Sequence, residues 1–275
     1  MLAGIANMLE CHGFETDDRS IALGMEAPYL FMRSDDGYTA GTALLRPEWI
    51  NLYLHTIGFH LDRVLLPKTD VIEFLRLHRT AMMAMRLSSD NASQPVLFTG
   101  FARARLLIST LHPRSPQSKS YTKAQFLAHL PDSCTVYTLK SLPPEAVDFL
   151  PYLGMSLQNL NAFWNDFQEI LTRTVTRAEY AALQKSHLRA LMHNLLPLTE
   201  LTNDRMLINE LKILDYFYEK EFSEHSPVHL HLYDHIPSTF VKNCVHWLME
   251  DIVDRMYELG ASDELVESFK SCSDS

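Results

Sequence analysis

The chain has 275 residues, 47% of them hydrophobic and 21% charged, a balance close to the globular average that excludes a disordered or low-complexity protein. Its 24 basic and 34 acidic residues give a net charge of −10, unevenly spread: residues 1–142 carry 14 basic and 13 acidic residues, or +1, and residues 143–275 carry 10 and 21, or −11. A neutral half and an acidic half exclude a nucleic-acid binder, and no apolar run reaches the ~20 residues that a membrane helix needs.

Seven of the nine glycines lie in the first 100 residues, so two differently built halves are expected, 1–142 and 143–275. The opening MLAGIANMLECHG has no basic residue before Arg19, and Glu10 interrupts its apolar run, so no secretory signal is expected. Cys11, Cys134, Cys244 and Cys272 form no paired motif and read as reduced thiols of a cytoplasmic chain. No cofactor is expected.

In chain order, Leu2, Ile5, Ala6 and Leu9 mark a helix from Leu2 to His12, with Gly13 as its left-handed stop. Thr16 is expected to cap a short helix through Leu23, stopped by Gly24. Residues 25–41 read as loop and turn, punctuated by Pro28, Asp36-Gly37 and Gly41. Pro47 opens a helix that ends before Gly58, the alternation in FHLDRVLL predicts a strand, and 70–79 reads as helix. AMMAMRL, PVLFTGF and ARLLISTLH are expected as strands, the last two joined in a tight hairpin. A Thr122-x-x-Gln125 capping box predicts helix over 123–129, and 134–139 reads as a last strand.

The second half reads as helices. Pro143-Pro144 is expected to open a short one through Leu150, stopped by Pro151. Leu157, Leu160, Phe163, Trp164, Phe167, Ile170 and Leu171 form an apolar stripe, read as packing rather than as a ligand surface. A Thr176-x-x-Glu179 box begins a helix through Asn194, 203–222 continues in the same texture, and Phe240 to Met256 marks a last helix closed by Gly260 before a frayed end. The fold class is therefore α+β, helices plus a small antiparallel sheet followed by an all-α domain.

An apolar helix ending in His12-Gly13, a later LGMEAPYLF segment and strands reading PVLFTGFARARLLISTLHP resemble the papain-like fold of bacteriocin-leader peptidases. They are closer still to the N-terminal domain of the butirosin-biosynthesis H acyltransferases. The resemblance covers roughly residues 1–140. It implies a Cys nucleophile at the start of the first helix, a His on one strand and an Asp or Asn on the next, and it suggests a place in peptide or antibiotic natural-product biosynthesis. The helix N-terminus and the imidazole lower the thiol pKa, and the third group orients the imidazole.

Carried over residue by residue, the nucleophile and the oxyanion-hole glutamine fall just ahead of Met1, the His falls on Gln94, and the Asp-Pro falls on His112-Pro113. An amide does not ionise, so Gln94 supplies no base. Met1, Gln94 and His112 are thus the candidates for a degenerate cleft, with Tyr29 and Phe31 as pocket walls. The expectation is a non-catalytic relative that binds a small molecule, a peptide or a carrier-protein partner. One alternative is an active cysteine-dependent acyltransferase or peptidase whose nucleophile precedes Met1; a helix that begins at a bare α-amino group keeps this open, because that charge faces the positive end of the helix dipole. Another is a structural module that forms a homodimer through its helical half.

Other groups are weighed against plainer readings. His229 and His231, with His235 and His225 nearby, place imidazoles on one face if extended, as a metal site requires, but a surface cluster is the plainer reading and no metal is expected. Cys11 and His12 are adjacent on a helix and point about 100° apart, so they read as packing rather than as a dyad. Nothing in the spacing supports Cys134 as a nucleophile with His112 or His129.

Overall fold

The computed structural model describes residues 1–34, 37–41, 44, 46–87, 93–110, 118–172, 189–191, 193–195, 197 and 238–271. The chain divides into two compact units, one of Met1–Met25 with Leu45–Val147, the other of Glu26–Leu44 with Asp148–Ser275. The division is thus not a single cut at 142–143: residues 26–44 return to the second unit.

The first unit is α+β. Helix α1 (Leu2–Cys11) buries the expected Leu2, Ile5, Ala6 and Leu9 together with Met8, and Gly13 follows it at φ +85°. In α2 (Asp18–Gly24) the N-cap is Asp17, not Thr16: its carboxylate accepts the Ser20 N–H at 2.6 Å, and an anion suits a helix N-terminus better than a hydroxyl does. Gly24 lies inside this helix, where a Cβ would stand 2.2 Å from the Tyr53 ring.

Helix α3 (Pro47–Thr56) and strand β3 (Phe59–Pro67) follow as expected. Helix α4 (Val71–Leu75) is shorter than 70–79, because the next apolar residue, Leu77, faces solvent. Strands β4 (Ala81–Arg86), β5 (Ser93–Ala102), β6 (Arg105–Thr110) and β7 (Ser118–Tyr121), helix α5 (Lys123–Ala128) and strand β8 (Ser133–Ser141) complete the unit. The capping box of α5 forms with both of its hydrogen bonds. Strand β7, Ser-Lys-Ser-Tyr, carries no apolar alternation that would have announced it.

The sheet runs β3-β8-β4-β5-β6-β7 with every neighbouring pair antiparallel. Cross-strand partners share a face. On one face Met83, Val96 and Val136 stand side by side and join Phe98, Ile108 and Cys134 in a core that α4 and α5 close with Val71, Leu75 and Phe126. On the other face lie Met82 and Leu97, buried but outside that core. Helix α1 packs against β4 and β5, and none of its buried residues belongs to the first core, so α1 covers the Met82–Leu97 face.

The second unit is mostly helical among the described residues, but it is not all-α. Residues 27–40, expected as loop, form a 3-10 turn (Ala27–Tyr29) and a hairpin of β1 (Phe31–Ser34) and β2 (Gly37–Ala40). The Asp36-Gly37 dipeptide read as punctuation is also a hairpin signal when strand-forming residues flank it. Residues 143–149 carry no helix. Helix α6 (Leu150–Thr172) instead begins at Leu150 with Pro151 in its first turn, where a missing N–H costs no intrahelical bond.

The predicted stripe on α6 is buried at Leu157, Leu160, Phe163 and Phe167. Helix α7 (Ser238–Glu258) buries Val241, Cys244, Leu248, Ile252 and Met256 against it and ends before Gly260. A further helix, α8 (Asp263–Ser271), packs on α6 so closely that a Cβ on Gly154 would stand 2.4 Å from the Phe269 ring. Within the helix expected over 176–194, residues 189–191 and 193–195 are helical; the rest of it, and 203–222, lie outside the described residues. No helix among the described residues is long and apolar enough to cross a membrane.

Candidate functional site

Met1 is the N-cap of α1: its carbonyl accepts the Gly4 and Ile5 N–H groups at 2.9 and 3.2 Å, with no side-chain cap. Gln94 is exposed on β5 and pairs with Met85 of β4. It therefore shares the face of Met85, Val96 and Phe98, the face turned away from α1. The two ends of the expected cleft thus lie on opposite sides of the sheet, because a strand alternates its side chains and Gln94 has the parity of the α4–α5 core. His112 lies outside the described residues, as do His225, His229, His231 and His235. Among the described residues no group of three His, Cys, Asp or Glu could hold a metal ion.

The two pocket-wall candidates divide. Phe31 is fully buried, edge-on to Phe163 at 5.4 Å and tilted against Tyr38 at 5.3 Å. It is core of the second unit, not a pocket wall, because β1 turns it onto α6. Tyr29 stands at the end of the 3-10 turn with the Arg255 guanidinium 6.0 Å from its ring centroid, and burial pushes its hydroxyl pKa up. Arg255 reaches there to grip Glu26 with two hydrogen bonds, at 2.9 and 2.6 Å, and Glu26 is buried with its backbone in the left-handed region at φ +56°. That fork-to-fork geometry joins the residue before the 3-10 turn to the last turns of α7.

Two thiols, Cys11 and Cys134, have their pKa values pushed up. Burial, and then the charge of Glu10, push Cys11 up despite the opposing charge of Arg79. Burial raises Cys134 too, and its Sγ donates to the Pro131 carbonyl at 3.2 Å. His12, beside Cys11 in sequence, turns its ring edge-on to Phe59 at 5.8 Å, and burial with Arg79 pushes its pKa down. His129 is engaged elsewhere: its Nδ1 lies 2.7 Å from the Arg86 carbonyl, and a carbonyl only accepts, so that nitrogen carries the proton.

The densest titratable cluster in the first unit is one that the sequence reading did not single out. The last turn of α3 brings His55 onto His60 of β3, with rings stacked at 5.2 Å and Nε2 of His55 2.8 Å from Nδ1 of His60. His60 Nε2 lies 3.3 Å from Asp62 Oδ1, and Lys140 of β8 pairs with the other oxygen. A carboxylate only accepts, so His60 carries its proton on Nε2, and its Nδ1 is left to accept from His55. His78 stands within the field of this pair; burial, then Lys140, push its pKa down against the opposing effect of Asp62. Thr138, opposite Asp62 on β8, is buried with a hydroxyl that has no hydrogen-bond partner among the described residues.

In this chain of groups His55 donates to His60 and His60 to Asp62, and none of the residues in it is a nucleophile of the thiol or activated-hydroxyl kind. The local signal was His60-x-Asp62, whose spacing of two puts both side chains on one face of a strand. Lys140 comes from a strand that no local pattern links to it.

No protein-family model matches the sequence, and no curated protein matches it. Among solved structures, the chain is similar to the peptidase domain of Streptococcus ComA, a bifunctional ABC transporter involved in a quorum-sensing pathway. The match has 14% identity and a TM-score of 0.30, and it covers 51% of this chain and 88% of that one.

Proposed function

We propose that the protein is a non-catalytic binding protein whose first unit is a papain-like frame of the leader-peptidase and butirosin-H kind, and whose partner is a small molecule, a peptide or a carrier protein. The observation that carries the reading is the state of the thiols. A nucleophilic cysteine needs a lowered pKa, and the surroundings of Cys11 and Cys134 raise it. Support for the frame comes from an N-terminal helix laid on the central strands of an antiparallel sheet. Gln94 cannot act as a base in any orientation.

The test is alkylation of the native protein with iodoacetamide at neutral pH, read by peptide mass spectrometry, together with thiol release from an acyl-thioester mimic of a carrier protein. Cys11 and Cys134 are expected to react more slowly than a free cysteine, with rates that rise only in alkaline solution, and thiol release is expected to stay at the buffer rate. A thiol that labels faster than free cysteine at neutral pH, or turnover of the thioester, overturns the reading in favour of an acyltransferase or peptidase.

A further inference from the structure

Strand β3 is an edge of the six-stranded sheet, paired only with β8. Its inward backbone groups are identified by two bonds that flank the ladder: the Leu142 N–H reaches the Gly58 carbonyl and the Lys68 N–H reaches the Asp132 carbonyl. Even-numbered residues thus face β8, and Leu61, Arg63, Leu65 and Pro67 direct their backbone groups outward.

Leu61 is already answered. The Asn51 side chain of α3 accepts the Leu61 N–H at 2.7 Å and donates to the Leu61 carbonyl at 3.1 Å, so one buried amide stands where a neighbouring strand would. Pro67 has no N–H. Between these two stops, the outward N–H and C=O of Arg63 and Leu65 have no partner among the described residues.

Both side chains point to one face and both are exposed, Leu65 at 68%, and Arg63 makes no ion pair among the described residues. The opposite edge strand, β7, is less than half as long and polar except for Tyr121.

We propose that the outer edge of β3 at Arg63–Leu65 receives an extended peptide segment by antiparallel strand addition, the segment carrying an apolar residue opposite Leu65 and a carboxylate two residues later opposite Arg63. Residues opposite one another at these two positions exchange both backbone hydrogen bonds, so the window accepts four. The charge selects the occupant. A second copy of the chain, centred on Val64, would set Arg63 diagonally across from the other Arg63, whereas a carboxylate opposite Arg63 is complementary. The proposal makes no use of the thiols, so it stands or falls independently of the reading above.

The probe is a fluorescein-labelled peptide, Thr-Thr-Leu-Thr-Glu-Thr-Thr, titrated into the full chain by fluorescence anisotropy. It is expected to bind at least about tenfold more tightly than the same peptide with Lys in place of Glu, a factor worth about 1.4 kcal/mol. Arg63→Glu, an exposed substitution that leaves the core untouched, should reverse that preference. N-methylation of the peptide at its Leu and Glu removes the two donors aimed at β3 and should abolish binding.

Binding that ignores N-methylation is charge attraction alone and overturns strand addition. No binding by either peptide makes Asn51, Arg63 and Pro67 guards against edge pairing, and also overturns it. A dimer in sedimentation that Arg63→Glu strengthens or dissolves, without peptide binding, assigns the edge to a second copy instead.

Discussion

In the sheet of the first unit, Met83, Val96 and Val136 come from three neighbouring strands, and the ladders on either side of them satisfy the backbone. The hairpin of the second unit has only two strands, and side chains from distant helices take over the work of a third. Ser156 Oγ of α6 accepts the Phe31 N–H at 2.9 Å, Asn159 donates to the Phe31 carbonyl at 2.9 Å, and Asn194 donates to the carbonyls of Leu30 and Pro28 at 2.9 and 3.3 Å. Tyr38 Oη donates to Asp166 at 2.7 Å. One region is thus held by periodic apolar burial, the other by aperiodic polar contacts that stitch a short segment to helices more than a hundred residues away. Tolerance of substitution should differ accordingly: in the sheet, volume matters most, and around the hairpin, the presence of single polar atoms does.

The sharpest way to break this contrast is at the Glu26–Arg255 pair. Arg255→Met leaves a buried carboxylate without its cation and should cost about 3–5 kcal/mol by chemical denaturation, with Glu26→Gln/Arg255→Met losing less than the single change. A loss under about 1 kcal/mol, the size of a surface pair, would show that no clamp exists there. Phe98→Ala is the counterpart in the sheet, at about 3–5 kcal/mol, and amide exchange should accelerate across β4, β5 and β6. Unchanged exchange in those strands would remove Phe98 from the core. Asn194→Ala strips one donor from two buried carbonyls and should cost about 1–3 kcal/mol, whereas an exposed asparagine costs almost nothing.

Acid should act on the first unit through His12 and His78. Both have folded pKa values below the ordinary 6.5, so the unfolded chain binds more protons in that range. Stability present above pH 6.5 should fall as the pH drops through the folded values, and His78→Asn should flatten that slope in a pH series of denaturant midpoints. An unchanged slope would show that His78 titrates as in the unfolded chain.

The smallest effect expected is a gain. The turn between β5 and β6 holds Arg103 and Ala104 at φ +47° and +65°, which matches the hairpin twist but suits glycine or asparagine better. Ala104→Gly should stabilise by about 1 kcal/mol, visible as a higher midpoint with an unchanged denaturant slope.

What was legible in the sequence follows the same division. The elements of the first unit are legible almost in order, because runs such as AMMAMRL and PVLFTGF, buried on both faces, are almost wholly apolar and bounded by polar residues. The exceptions are β7, whose single core residue is Tyr121, and α4, cut short where Leu77 meets solvent. The hairpin at 31–40 was read as loop, since what fixes it is Ser156, Asn159 and Asn194, each unremarkable in its own neighbourhood. Pro151 was read as a stop and is a start, a distinction that turns on which side of it the helix forms. Counting back from Gly100 reaches Gln94, but no spacing tells which face of the sheet that residue takes. The His55–His60–Asp62–Lys140 cluster was half visible as His60-x-Asp62 and otherwise depended on two strands distant in sequence lying side by side.

Glu26 and Arg255 are separated by 229 residues. At a synthesis rate of about 5–20 residues per second, Glu26 leaves the ribosome roughly 10–50 s before its partner exists. For about the first half of that interval the Phe31–Ala40 segment has no α6 to answer its backbone through Ser156 and Asn159, while strands β3–β8 of the first unit emerge directly after it. The order of translation therefore makes this hairpin wait for helices made long after it, and a truncation before Arg255 would leave the Glu26 carboxylate without its cation.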